Sequence, residues 1–291
     1  MLKLFLGGIS LQTKYDRFEQ LCNEKLNELT ASKENWLGFL DTASRMYKYN
    51  FEEQVLIHAQ RPESRAVASF DFWTAGNRMN RHIKKGTSSI ALIDRESKRL
   101  NYVYAVEDTE DRINGKSKNP ENYIWKIPAE LVENINNSLC RKGRLHSDSL
   151  EQTIANMAFS ASVSKLKSYD DEFEVLYHES GTTLTRTELS ESLSKMLCAS
   201  ATITAMKRCG IDTADFESRQ DFSLLYSIPQ NFTKLLGEMT GDTAKTVLRL
   251  IETTVHEEIE KEKVRNDELH RNTVTEEESR EWNPVYTGRS N

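Results

Sequence analysis

The chain has 291 residues, enough for one large domain or two modest ones with a substantial core. Its 39 Lys+Arg against 45 Asp+Glu give a net charge of −6, which argues against a globally basic nucleic-acid binder. With 37% apolar and 29% charged residues, some of the chain should be solvated helix or tail.

The start, MLKLFLGGISLQT, has an apolar patch from Leu4 to Ile9 that is too short for a signal peptide and reads as an irregular arm or edge strand. Tyr15, Phe18, Cys22, Leu26 and Leu29 then recur at helical spacing. A second helix follows Ser32 and carries Trp36, Phe39, Leu40, Ala43 and Met46. Asn50 with Glu53 forms a capping-box pattern for a third, which Pro62 closes. Residues 66–70 (AVASF) read as extended, and FDFWTAGN as a short amphipathic turn or helix. SSIALID (88–94) and LNYVYAV (100–106), separated by RESKR, read as an antiparallel hairpin.

After Pro128 the pattern is helical. Leu131, Val132, Ile135 and Leu139 form one face, with Gly143 as the terminator. Asp148 with Glu151 should cap the next helix, which carries Leu150, Ile154, Met157 and Ala161. Thr185 with Glu188 should cap another that ends at Lys207, Arg208 and Gly210. Shorter helices are expected at 217–226 and 229–239, then a long one from Asp242 carrying Val247, Leu248, Ile251, Val255 and Ile259. The expected fold class is α+β, mainly helical, with a small antiparallel sheet whose hairpin lies near 88–106.

The charge is unevenly distributed. From Arg78 to Arg99 there are seven Lys/Arg against two acids, a balance of +5. From Glu252 to Glu281 there are eleven acids against five bases, a balance of −6 that equals the net charge of the whole chain. The basic stretch is interleaved with Phe70, Phe72, Trp73, Tyr102 and Tyr104, and alternation along a strand can put Tyr102 and Tyr104 on one face. Cations along a phosphate backbone and π-faces for bases are the combination that holds single-stranded nucleic acid, although aromatics at such positions equally build core.

Catalytic patterns are weak. His256–Glu260 (HEEIE) lacks the second histidine of HExxH, and KKGTSS (84–89) lacks the glycine and lysine spacing of a phosphate loop. His58 reads as a packed or capping histidine, and the acids Glu107, Asp108, Glu110 and Asp111 as a solvated strand-end loop. The cysteines Cys22, Cys140, Cys198 and Cys209 form no CxxC, so free thiols in a reducing cytoplasm are expected. No catalytic residue, metal site or cofactor, and no membrane association, is expected.

Residues 50–111 resemble the N-terminal domain of ArdC-like and LtrC-like proteins of conjugative elements, phages and plasmids. The resemblance rests on the helix Gln54–Gln60, the run Ala66, Ala68, Phe70, Trp73, the basic link Lys84, Lys85, Gly86, the strand IALID and the segment YVYAVEDT. ITAMKRCGID (203–212) and TAKTVLRLIETTV (243–255) are similar to the LtrC-like extension, so the resemblance spans most of 15–255. Ser88-Ser89 stands where the family usually has another glycine, and Gly76-Asn77-Arg78 where it often has a Gly-Arg pair. The resemblance implies a single-stranded-DNA-binding domain linked to antirestriction or DNA transfer. It implies no enzymatic activity here, because the metallopeptidase and helicase motifs of longer relatives are missing.

On that basis phosphate contacts are expected from Arg78, Arg81, Lys84, Lys85, Lys98 and Arg99, and base stacking from Trp73 and Tyr102, with Trp73 equally a core candidate. The expected organisation is a nucleic-acid-binding domain at 1–127, a helical extension at 128–261 and an acidic, disordered tail at 262–291. The alternative is a protein-binding inhibitor of a host defence nuclease, whose acidic segment would complement a basic DNA channel.

Overall fold

In a computed structural model of the chain, the described residues are 13–113, 115–122, 124–226 and 228–281; side chains are described through 268, those of 122 and 230 excepted. The expected N-terminal arm therefore lies outside the described residues. Three helices open the chain: α1 (Lys14–Leu29), α2 (Lys33–Arg45) and α3 (Phe51–Gln60). Each begins where the sequence supplies a cap. Thr13 and Asn50 form reciprocal capping boxes with Asp16 and Glu53, and Ser32 accepts from Asn35 N.

The main sheet has the order β1-β4-β3, all antiparallel, from β1 (Val67–Ser69), β3 (Ile90–Asp94) and β4 (Arg99–Ala105). The hairpin pairs Ile90 with Val103 and Asp94 with Arg99. Its turn is held by the Asp94 carboxylate, which accepts from Glu96 N, Ser97 N and the Ser97 hydroxyl. Lys98 completes the turn in the left-handed region, φ 53°. A second ladder, not expected from the sequence, pairs β2 (Arg81–Ile83) with β5 (Thr109–Asp111). The short helix α4 (Phe70–Thr74) follows β1 directly, capped by Ser69.

Side chains blunt the edges of the main sheet. The Gln60 amide donates to Ala91 O and accepts from Ala91 N (2.9 and 3.0 Å), and the Tyr49 hydroxyl donates to Val67 O at 3.0 Å. Gln54, the other glutamine of α3, donates to Met46 O and Tyr49 O and so satisfies carbonyls at the end of α2 and in the following turn.

The second half consists of α5 (Val132–Gly143), α6 (Leu150–Ser168), α7 (Asp170–Ser180), α8 (Arg186–Arg208), α9 (Ala214–Ser218) and α10 (Gln230–Glu281). Residues 199–206 of α8 are buried all round, which marks it as the central helix. The Trp36 indole donates to the Ser200 hydroxyl at 2.9 Å and ties α2 to it. One apolar core joins Trp36, Phe39, Phe51, Leu56 and Val103 to Leu193, Ile203, Phe232 and Leu236. This core crosses the boundary expected at 127/128. A second core lies among α5, α6, α8 and α10, and a small third one beneath α4.

Five local details differ from the sequence pattern. The helix expected at 217–226 is replaced by α9, which ends at Ser218, and a separate 3-10 turn at Ser223–Tyr226. Gly143 is the last helical residue of α5, and Arg144 takes the left-handed cap, φ 52°. Ser149, one residue after Asp148, caps α6 by accepting from Gln152 N. Helix α7 had no counterpart among the expected elements. The helices expected at 229–239 and from Asp242 are one, α10, about 80 Å long. Asp242 accepts from Lys165 (2.9 Å) and Tyr169 (3.3 Å) instead of capping a new helix. Helix α10 also runs straight through position 262 to Glu281. From 260 to 268 its described side chains form only the i,i+3 pairs Lys261–Glu258, Lys263–Glu260 and Arg265–Glu262. No helix among the described residues is long and apolar enough to cross a membrane.

Candidate nucleic-acid interface

Strand register decides which residues the sheet can present. Tyr102 and Tyr104 lie two apart on β4 and share a face, opposite the one on which Val103 and Ala105 join the large core. On that outer face Tyr102 is 40% exposed. Phe70, 51% exposed at the start of α4, packs edge-on against Tyr104 with centroids 6.1 Å apart. Lys14 donates to the Tyr102 hydroxyl at 3.0 Å and lies 4.9 Å from its ring centroid. The result is an aromatic strip, Tyr102–Tyr104–Phe70, with an ammonium at one end.

The expected cations divide into two groups. Lys98 and Arg99 sit at the hairpin turn, and Lys84 and Lys85 follow β2 at the opposite end of β4. Lys84 is held there by donating to Glu107 O at 2.7 Å. The seven residues of β4 separate these groups by about 20 Å. Arg78, Lys85, Lys98 and Arg99 are exposed and make no side-chain hydrogen bond or ion pair among the described residues.

Arg81 belongs to neither group and corrects the expectation. It is 8% exposed, pairs with Asp111, and donates to the Thr109 hydroxyl at 2.8 Å. Its guanidinium cross-links the β2–β5 ladder and is not available to phosphate. Trp73 resolves in favour of core: it is fully buried on the inner face of α4, and its indole donates to Tyr104 O at 2.9 Å. It supports the strip from behind and offers no face to a base. Phe70, Tyr104 and Lys14 take part although sequence reasoning did not select them as contacts. The pairing of Tyr102 with Tyr104 was the only signal for the strip.

Most of the remaining chemical candidates are engaged elsewhere. Glu107 pairs with Arg65 at 3.0 Å, Asp108 with Arg61 at 3.7 Å, and Asp111 with Arg81. His58 packs edge-on against Phe39, with its Nδ1 2.7 Å from the Thr42 hydroxyl, and burial pulls its pKa down to about 4. In the HEEIE segment Glu257 pairs with Lys142, while Glu258 is buried against Ser138 and Lys261. No group of three metal-ligating side chains occurs among the described residues. The four cysteines are free, and burial raises the pKa of Cys22 to about 11 and of Cys209 to about 12. Comparison with protein-family models, curated proteins and solved structures finds no match to this chain.

Proposed function

We propose that the chain is a non-enzymatic module that binds single-stranded DNA across the outer face of its small sheet. Bases stack on Tyr102, Tyr104 and Phe70, and phosphates meet Lys84 and Lys85 at one end and Lys98 and Arg99 at the other. Arg78 adds a further exposed cation. The observation that carries the reading is the aromatic strip of β4 and α4, exposed at Tyr102 and Phe70 and half-buried at Tyr104, with cations free of ion pairs at both ends. Such contacts read backbone and π-faces, so sequence preference is low. The resemblance to ArdC-like and LtrC-like proteins supplies the setting: a bacterial mobile element, a cytoplasmic site of action, and a role in antirestriction or DNA transfer.

The test is a fluorescence-anisotropy titration with single-stranded DNA, double-stranded DNA and RNA at two salt concentrations. Single-stranded DNA should bind most tightly and weaken steeply with salt, because neutralised phosphates release counterions. Tyr102→Ala should cost about 1–3 kcal/mol of binding free energy, the range for one stacked base. Lys84→Glu with Lys85→Glu should abolish binding while far-UV circular dichroism stays unchanged. Salt-independent or undetectable binding sinks the proposal.

One observation favours a second reading. Helix α10 carries its acidic surface past Ile259 with no tertiary ion pair at 260–268. An acidic rod of this kind suits the basic DNA channel of a defence nuclease. Truncation after Arg265 should then relieve inhibition of the nuclease and leave DNA binding by the sheet intact.

A further inference from the structure

A cavity of about 220 Å³ lies between the α2–α3 turn, the start of β1, the residues Glu121, Ile124, Trp125 and Lys126, and the end of α8. Tyr47, Val67, Ile124 and Trp125 give it apolar, largely aromatic walls, and it opens to solvent past Lys126. Five cations line it (Arg45, Lys48, Arg65, Lys126 and Arg208), against one acid, Glu121.

Four of these cations already have carboxylate partners. Arg45 pairs with Asp41 and donates to the carbonyls of Pro62 and Ser64. Arg65 pairs with Glu107 and Glu121, Lys48 with Glu252, and Lys126, exposed at the mouth, with Glu121 at 3.3 Å. Arg208 differs from all of them. Its guanidinium lies 3.9 Å from the Trp125 ring centroid and donates to Trp125 O at 2.7 Å. Among the described residues no carboxylate comes within ion-pair distance of it, and no second acceptor meets its remaining donors. Burial holds its pKa below the usual arginine value. A desolvated guanidinium with unused donors is costly unless an anion meets it.

We propose that this cavity is a mononucleotide site, with the nucleobase in the aromatic interior and the 5′-phosphate on Arg208 and Lys126. The planar guanidinium fork matches phosphate geometry. Lys126, held only by the exposed Glu121 carboxylate, can turn to a phosphate that Arg208 receives. The cavity shares no residue with the aromatic strip, so the site stands or falls independently of DNA binding by the sheet.

Isothermal titration calorimetry of the full chain with 5′-AMP, 5′-CMP, adenosine and inorganic phosphate tests the site. A 5′-mononucleotide should bind saturably at one site, at least about tenfold tighter than adenosine or phosphate alone. Arg208→Gln should weaken it by about tenfold or more, and Lys126→Ala by about two- to fivefold. Lys84→Glu should leave it unchanged. If Arg208→Gln does not fold, exposed Lys126 carries the test. Full affinity in Lys126→Ala, equal binding of adenosine and 5′-AMP, or no saturable binding up to about 1 mM overturns the proposal. A 5′-phosphorylated oligonucleotide gives the source. Tighter binding than its unphosphorylated counterpart, lost in Arg208→Gln, assigns a strand end; equal binding of the two assigns the free mononucleotide.

Discussion

Gly237→Ala is a sharp test of how the two halves of the chain fit together. Position 237 lies inside α10, where alanine normally exceeds glycine by about 1 kcal/mol in helix propensity. Here the helix passes directly over the Phe51 ring at the start of α3. An ideal Cβ on Gly237 would lie 2.5 Å from Phe51 Cδ2, with two further ring atoms closer still. Ordinary carbon contact is about 3.5–4.0 Å, so the overlap is about 1 Å or more. The ring cannot swing aside, because it is buried and packs edge-on against Phe39 with centroids 5.5 Å apart. Overpacking typically costs about 1–3 kcal/mol, and this rigid overlap belongs at or beyond the upper end. The net is a destabilisation of about 2 kcal/mol. For a chain of this size that is a fall of roughly 3 °C in Tm by differential scanning calorimetry. Adding Phe51→Leu should recover part of the loss, a coupling of about 1 kcal/mol or more between residues 186 apart in sequence. A Tm for Gly237→Ala at or above that of the parent protein would refute the packing described between α10 and α3.

Other perturbations separate support from contact. Arg81→Gln should lower stability by about 1–3 kcal/mol through loss of a buried pair and leave DNA affinity unchanged, whereas Lys85→Gln should do the reverse; thermal melts beside anisotropy titrations distinguish them. Lys98→Gly relieves a left-handed backbone and should stabilise the fold by about 0.5–1 kcal/mol while weakening DNA binding, both read from the same two assays. The His58 pKa lies near 4 in the folded state, below its ordinary value, so the unfolded chain takes up the proton first as pH falls. Its contribution is complete above about pH 7 and is lost between about pH 6.5 and 4, amounting to about 1 kcal/mol by pH 5 after allowance for its partial exposure. Urea melts across that range should show the slope, and His58→Asn should flatten it.

Much of the scaffold was legible because local chemistry decided it. The capping boxes at Asn50 and Thr185 and the alternation of the hairpin depend on neighbours in sequence, and they appear where the pattern put them. Features set by distant partners were not legible. Asp242 has the look of a helix cap, but Lys165 and Tyr169 draw it into a side-chain cluster midway along α10. Arg81 looked like one cation of a basic stretch, and only the β2–β5 ladder shows that Asp111 and Thr109 claim it. Trp73 and Tyr102 looked alike as aromatics; the turn into α4 buries one, and strand alternation exposes the other. Arg208 sat at a helix end as expected, yet its cavity is made by Trp125 and the α2–α3 turn, which no spacing rule connects to it.

The large core also sets the order of events during synthesis. Phe51 leaves the ribosome 181 residues before Phe232, which completes the apolar layer around it. At translation rates of about 5–20 residues per second, α2 and α3 wait roughly 10–40 s with Trp36, Phe39 and Phe51 uncovered. The nascent chain should therefore bind chaperones throughout that interval, and release should coincide with the emergence of α10.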